Sequence, residues 1–255
     1  GQLGIGSTTQ QNSPVSVLLS SGEIPRVISM GTNFSCVLLV NGNVKCWGAK
    51  AFGQLGVGNQ NQRGDLPATA ANLIGTVSLG GQAKSIATGS EHACAILTNG
   101  SLRCWGNNSN GQLGIAKTTI MSLSPITIDA VSPVIKNVFA GGKRSCIQNI
   151  NNDIQCVGLN TFGELGIGST SADKELYTNN YVSLRTYALT KTMSMGENHS
   201  CILSVGDTLL CWGLNTSGQL GNNTTINRGS TAATMGDNLI QTGSFLMYYP
   251  YDESN

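Results

Sequence analysis

Charge is scarce in this sequence. Lys and Arg total 14 against 13 Asp and Glu, so 11% of the 255 residues are charged and the formal net charge is +1. A chain so balanced projects no overall field toward nucleic acid or an acidic membrane. No run of Lys and Arg occurs along it, so neither nucleic acid nor another polyanion is an expected partner. Aromatic residues make up only 5%, which leaves little for a binding patch built on aromatic anchors. Only two histidines are present, His92 and His199, poor provision for a metal centre or for acid–base chemistry. No stretch approaches the roughly 18 consecutive apolar residues of a spanning helix, so no membrane insertion is expected of this segment. The chain opens on Gly1 without a charged-then-apolar leader, the beginning expected of a processed or partial chain.

What abounds is glycine, 33 residues, beside 40% hydrophobic residues. That mix describes short buried strands joined by tight turns, an all-β array. Gly1-Gln2-Leu3-Gly4 recurs at 53–56, 111–114 and 218–221, with Gly163-Glu164-Leu165-Gly166 as a near copy, at intervals of 52, 58, 52 and 55 residues. A period of this length, carried by strands and glycine turns, means propeller blades or a solenoid. Between the tetrapeptides a second pattern appears four times: a short strand, a glycine, four residues, Cys, nine residues and Cys, usually followed by Trp-Gly. Strands are expected at 28–30, 86–88, 138–140 and 193–195, ending at Gly31, Gly89, Gly141 and Gly196.

This order resembles the regulator-of-chromosome-condensation repeat family over residues 26–221. The resemblance implies an all-β fold, a β-propeller with four complete blades at about 5–56, 57–114, 115–166 and 167–221 and partial blades at both ends, the second at 222–255. It implies burial of Trp47, Trp105 and Trp212, with Leu55, Leu113, Leu165 and Leu220, between adjacent blades. Because family propellers usually close with more blades, it also implies a fragment of a longer polypeptide or an open array completed by another chain.

The cysteines fall in register with the repeat. From Cys36 to Cys46, a three-residue loop at 40–42 sets 39 opposite 43 and therefore 36 opposite 46. Such a loop wants its last residue left-handed, and the four copies supply Gly42, Gly100, Asn152 and Asp207. Disulfides are therefore expected between Cys36 and Cys46, Cys94 and Cys104, Cys146 and Cys156, and Cys201 and Cys211. Reduced structural thiols are the rival reading. A metal site fits poorly, since zinc ligands come in close pairs, and no metal or other cofactor is expected. Paired cysteines imply an oxidising compartment, extracellular or cell-surface, and their pattern resembles the ectodomains of plant Crinkly-type receptor kinases. N-linked glycans are possible at Asn33, Asn99, Asn107, Asn198, Asn215, Asn222 and Asn223, although a chain this rich in Asn, Ser and Thr gains several such sequons by chance.

No constellation here reads as catalytic. His92 and His199 share a repeat position with Phe34 and Arg144, and a position that accepts Phe or Arg is packing rather than chemistry. The neighbouring Ser200 does not make a nucleophile with His199, because adjacent strand residues point to opposite faces. Arg63-Gly64-Asp65 spells an adhesive tripeptide, but its counterpart Arg228-Gly229-Ser230 marks a turn shared by two blades. The third blade is the outlier, with Val157 in place of Trp and Glu164 in place of Gln, either through sequence drift or as a binding spot. The expected function is a non-enzymatic structural or protein-interaction module that contacts other chains or copies of itself through loops such as 59–78 and 116–134. The alternatives are a secreted inhibitor or receptor-type ligand-binding propeller, which would gather Tyr177, Tyr181 and Tyr187 on one face, and, by resemblance, a guanine-nucleotide exchange factor for a small GTPase.

Overall fold

The computed structural model describes every residue except 62, 129–133, 171–176, 178–180, 185–188 and 236–255. Its described strands form four antiparallel sheets, each a blade. Blade one is β1 (Pro25–Met30), β2 (Phe34–Leu39) and β3 (Val44–Gly48). Blade two is β4 (Ala83–Thr88), β5 (His92–Leu97), β6 (Leu102–Asn107) and β7 (Met121–Thr127). Blade three is β8 (Ile135–Gly141), β9 (Arg144–Asn149) and β10 (Ile154–Gly158), and blade four is β11 (Thr190–Met195), β12 (His199–Ser204) and β13 (Leu209–Gly213). The region from 116 onward, expected as a loop, therefore supplies a fourth strand to blade two.

The hairpin loops set the register. In blade one the Leu39 amide donates to the Asn43 carbonyl at 2.8 Å, closing the three-residue loop, and Cys36 lies opposite Cys46. The last loop residue is left-handed in all four copies: Gly42, Gly100, Asn152 and Asp207 have φ of 83, 89, 67 and 56°. Glycine adopts that conformation freely, while Asn and Asp are the side chains that tolerate it best.

The central strands explain the stacking. Every residue of β2, β5 and β9 is buried. A strand buried on both sides needs a neighbour on both sides, so each blade covers the next. The inner strands meet in chain order, β1 against β4, β4 against β8 and β8 against β11. Three cores fill the seams. Leu38, Leu55, Ile86 and Trp105 lie in the first, Ile96, Leu113, Val138 and Tyr177 in the second, and Leu165, Met193, Ile202 and Trp212 in the third. The expected core Trp and Leu residues are all at most 3% exposed.

The inner strand of blade one is more exposed than the other three. Ile86, Val138 and Met193 share one repeat position and are 5–6% exposed, whereas Ile28 at that position in blade one is 62% exposed. The outer part of blade one is covered by its own chain. There the buried Lys45 ammonium donates to Glu23 Oε2 at 2.7 Å and to the Ser20 hydroxyl at 3.1 Å. Burial pushes the Glu23 carboxyl up, but hydrogen bonds from Lys45 and Ser20 outweigh it and hold the group below its ordinary value.

Candidate functional site

The four disulfides join Cys36–Cys46, Cys94–Cys104, Cys146–Cys156 and Cys201–Cys211, each across its own hairpin with Cα atoms 4.1 Å apart. Strand alternation puts each of them on the face turned toward the following blade. The first three are 0% exposed beneath that blade, while Cys201 in blade four is half-buried.

The repeat position of the histidines also faces the following blade. Phe34 packs in one cluster with Ala93. His92 Nε2 meets the Ser145 hydroxyl at 2.8 Å. Arg144 donates to the Ser200 hydroxyl at 2.7 Å and to the carbonyls of Glu164, Gly196, Glu197 and His199 at 2.8–3.2 Å. Burial pushes the His92 pKa down to about 4 and the Arg144 pKa down to about 10, the latter opposed by the Glu164 and Glu197 carboxylates. His199, half-buried, is lowered by burial and by the positive Arg144. His92 and Arg144 bind one blade to the next.

Each Trp serves the same seam from the other side. Trp47, Trp105 and Trp212 donate through Nε1 to the carbonyls of Gln2, Gln54 and Glu164 at 2.9 Å, and their rings lie against Gly4, Gly56 and Gly166, where any Cβ would come within 2.7 Å of the indole. Blade three has only Val157. There Tyr177, delivered by the linker, lies against Gly114 at the same 2.6 Å limit, and the Gln112 carbonyl accepts from Ser145 Oγ at 2.7 Å. Burial raises the Tyr177 phenol above its ordinary value, with Ser145 pulling the other way. Glu164 keeps the bond that glutamine makes elsewhere: its carboxylate accepts from the Phe162 amide at 2.6 Å, as Gln54 and Gln112 accept from the amides two residues before them.

One recurrent residue was missed in the sequence. Asn108, Asn160 and Asn215 are buried, accept from the amides of Leu113, Leu165 and Leu220, and donate to linker carbonyls. The signal was an Asn three residues after the Trp or Val in three of four copies. Asn215 counted as a glycan acceptor is therefore corrected: its amide nitrogen is fully buried and bonded. Asn107 is 5% exposed and donates to Glu91, which likewise leaves no room for a glycan. Asn33, Asn99 and Asn223 are exposed, and Asn198 and Asn222 are half-buried.

The other candidates sort plainly. Arg63-Gly64-Asp65 is a packed turn: the Gly48 amide donates to the Arg63 carbonyl, and Asp65 accepts from Thr69, with Gly213 and Arg228 repeating the bridge in blade four. Tyr177 is core and Tyr181 is 46% exposed, so these two do not share a surface, and Tyr187 lies outside the described residues. The inner strands and their glycine turns line a groove of about 540 Å³ whose walls are mostly backbone and small side chains. Across it Ser90 Oγ donates to Glu197 Oε2 at 2.7 Å. Neither His92 nor Arg144 is among its lining residues.

Blades in register, stacked through recurring seams and linked by left-handed glycines, define a β-propeller repeat protein. Sequence profiles of the regulator of chromosome condensation (RCC1) repeat match residues 26–54, 83–112 and 191–219, and a second profile of that repeat matches 41–96, so the chain carries RCC1 repeats in these segments. The ultraviolet-B receptor UVR8 of Arabidopsis thaliana is 31% identical over 228 residues, 87% of this chain and 48% of UVR8. Prp20p of Saccharomyces cerevisiae superposes with a TM-score of 0.71 at 20% identity over 86% of this chain and 52% of that one. Human WBSCR16 superposes with a TM-score of 0.67 at 16% identity over 80% and 50%. The chain thus spans about half the length of these relatives.

Proposed function

We propose that this propeller is a non-enzymatic protein-interaction module of a secreted or cell-surface assembly. The observation that carries the reading is the set of in-register disulfides, three of them sealed between blades, which a reducing compartment would not maintain. The buried titratable groups support it, because His92 and Arg144 are spent on seams between blades. Prp20p is described with binding to Gsp1p and histones, which supports a role for this kind of fold in presenting surfaces to other proteins. The test is peptide mapping of the chain from its native source without reductant, coupled to cross-linking and identification of bound proteins. Paired cysteines and a specific cross-linked partner are expected. Free thiols at these positions would overturn the compartment, and the lack of any cross-linked protein would overturn the interaction role. Release of labelled guanine nucleotide from the cross-linked partner would favour the exchange-factor alternative instead.

A further inference from the structure

Arg26, Lys84, Lys136 and Lys191 occupy one repeat position, five residues before the glycine that ends each inner strand. In every blade the strand register skips at this residue: pairing passes from Pro25 to Val27, from Ala83 to Ser85, from Ile135 to Asn137 and from Thr190 to Thr192. A bulged residue leaves the ladder, and its side chain is re-aimed away from it. Arg26, Lys136 and Lys191 are accordingly exposed and Lys84 half-buried. Because the inner strands lie side by side, these bulges gather on one rim of the stack. Lys84 Nζ reaches the carbonyl of Ile135, the residue just before Lys136, at 3.4 Å. No run of Lys and Arg exists along the sequence, yet the fold collects four cations that are 58, 52 and 55 residues apart.

The same rim carries a second pattern. The carbonyls of Ile24, Val134 and Leu189 accept from the amides of Val40, Ile150 and Val205 at 2.7–3.0 Å, so each inner strand's approach lies beside its hairpin tip. All six side chains are 51–62% exposed. In blade two the corresponding bond joins Thr98 to Gln82, both polar and exposed, so the blade does not need aliphatic residues here to fold. Three exposed aliphatic pairs at one repeat position, each beside a bulged cation, are unexplained by packing.

The geometry points to this rim as the docking surface for an acidic segment of a partner protein that carries aliphatic side chains among its carboxylates. The inference rests on the interaction reading above and names its face and the partner's chemistry. Opposite charge supplies recognition and the aliphatic pairs supply area that water otherwise covers. Among the described residues the acidic groups on this side are Asp207, 4.0 Å from Lys191, Asp153, held by Asn149 at 3.1 Å, and Glu23, which accepts from the buried Lys45 ammonium at 2.7 Å. Asp207 and Asp153 stand at hairpin tips, where a flat anionic bilayer would press against them, whereas a narrow peptide along the bulges meets the cations first. The opposite ends of the inner strands carry Glu91 and Glu197 beside Lys143, so the excess of cations belongs to this rim.

The test is fluorescence anisotropy of a labelled peptide of alternating Glu and Leu with the 255-residue chain, at low and at physiological salt. Changing Arg26, Lys84, Lys136 and Lys191 together to Ser is expected to weaken binding roughly tenfold or more at low salt, with the difference shrinking as salt screens the charges. Changing Val40, Ile150 and Val205 to Ser is expected to weaken it roughly threefold. Lys117→Ser/Lys143→Ser, away from the rim, should leave it unchanged, and a thermal melt of each variant verifies that these exposed changes leave the fold intact. Equal binding by the fourfold variant overturns the assignment, as does tighter binding to phosphatidylserine vesicles than to the peptide. If a partner found by cross-linking binds the fourfold variant as well as the native chain, the rim falls while the interaction role stands.

Discussion

Blades two and three perform the same packing with different residues. Blade two uses His92, Trp105 and Gln112, and blade three uses Arg144, Val157 and Glu164 at the same positions. Each departure in blade three is answered nearby. Arg144 finds Ser200 and a set of carbonyls in blade four, with Glu164 balancing its charge, and Tyr177 from the linker occupies the place against Gly114 that an indole takes elsewhere. The partner changes with the position: Phe34 faces Ala93, His92 faces Ser145 and Arg144 faces Ser200. The repeat-family profiles match blades one, two and four and pass over blade three. Its departures therefore rebuild a seam by other means, with Arg144, Val157 and Glu164 all buried in it.

The sharpest way to break this comparison is to remove one answering partner. Arg144→Ala leaves the Glu164 carboxylate and the Ser200 hydroxyl buried without the guanidinium, and is expected to cost about 3–5 kcal/mol in urea unfolding. Arg144→His combined with Glu164→Gln, which copies blade two and retains the Ser200 hydroxyl as partner, should recover most of that loss. If the double variant is no more stable than Arg144→Ala, the two blades are not interchangeable solutions.

Next in size is the tyrosine. Tyr177→Ala should cost about 3–5 kcal/mol, comparable to removing a core aromatic. Val157→Trp in the native background should be overpacked and lose about 1–3 kcal/mol. In the Tyr177→Ala background the same Trp should restore stability, and a change of equal sign and size in both backgrounds would show that the two side chains do not share a space.

Much of the seam was legible from the repeat. The hairpin register, the left-handed loop residues and the buried Trp and Leu positions follow from local chemistry repeated four times, which makes each copy a check on the others. What escaped was whatever the repeat does not carry within one copy. Tyr177 lies in a linker of irregular length, so no register announced it. The partner of His92 lies 53 residues away in the next blade. The basic rim escaped because a bulge reverses the direction that strand alternation alone assigns. Asn215 was misread because its sequon stood out more than its register with Asn108 and Asn160.

A pH titration sharpens the comparison between blades one and two. His92 has a native pKa of about 4 against an ordinary 6.5, so the folded state favours its neutral form. The stability this represents is complete above pH 6.5 and is lost as the pH falls toward 4, on the order of 3 kcal/mol for a fully buried group. Replacing His92 by Phe and Ser145 by Ala copies the Phe34 and Ala93 seam and should flatten the urea midpoint over that window. An equally steep fall in the double variant would place the acid sensitivity elsewhere.

The smallest effect concerns what blades two and three share. Their disulfides, Cys94–Cys104 and Cys146–Cys156, are 0% exposed beneath the following blade, whereas the Cys201–Cys211 pair lies on the outer face of blade four with Cys201 half-buried. A thiolate reductant must reach a sulfur to attack it, so access orders the rates. Under native conditions with limiting reductant, alkylation and peptide mapping should find Cys201 and Cys211 labelled first, well before the other six cysteines. Loss of that one bond removes a short-loop constraint of at most roughly 3 kcal/mol, and because it clamps only blade four, the seams around blades two and three should keep their protection from hydrogen exchange. Simultaneous labelling of all four pairs would mean that the stack opens as one unit and that burial within a seam gives no blade a private stability. Slow labelling of Cys201 and Cys211, at the rate of the sealed pairs, would mean that something covers the outer face of blade four in solution.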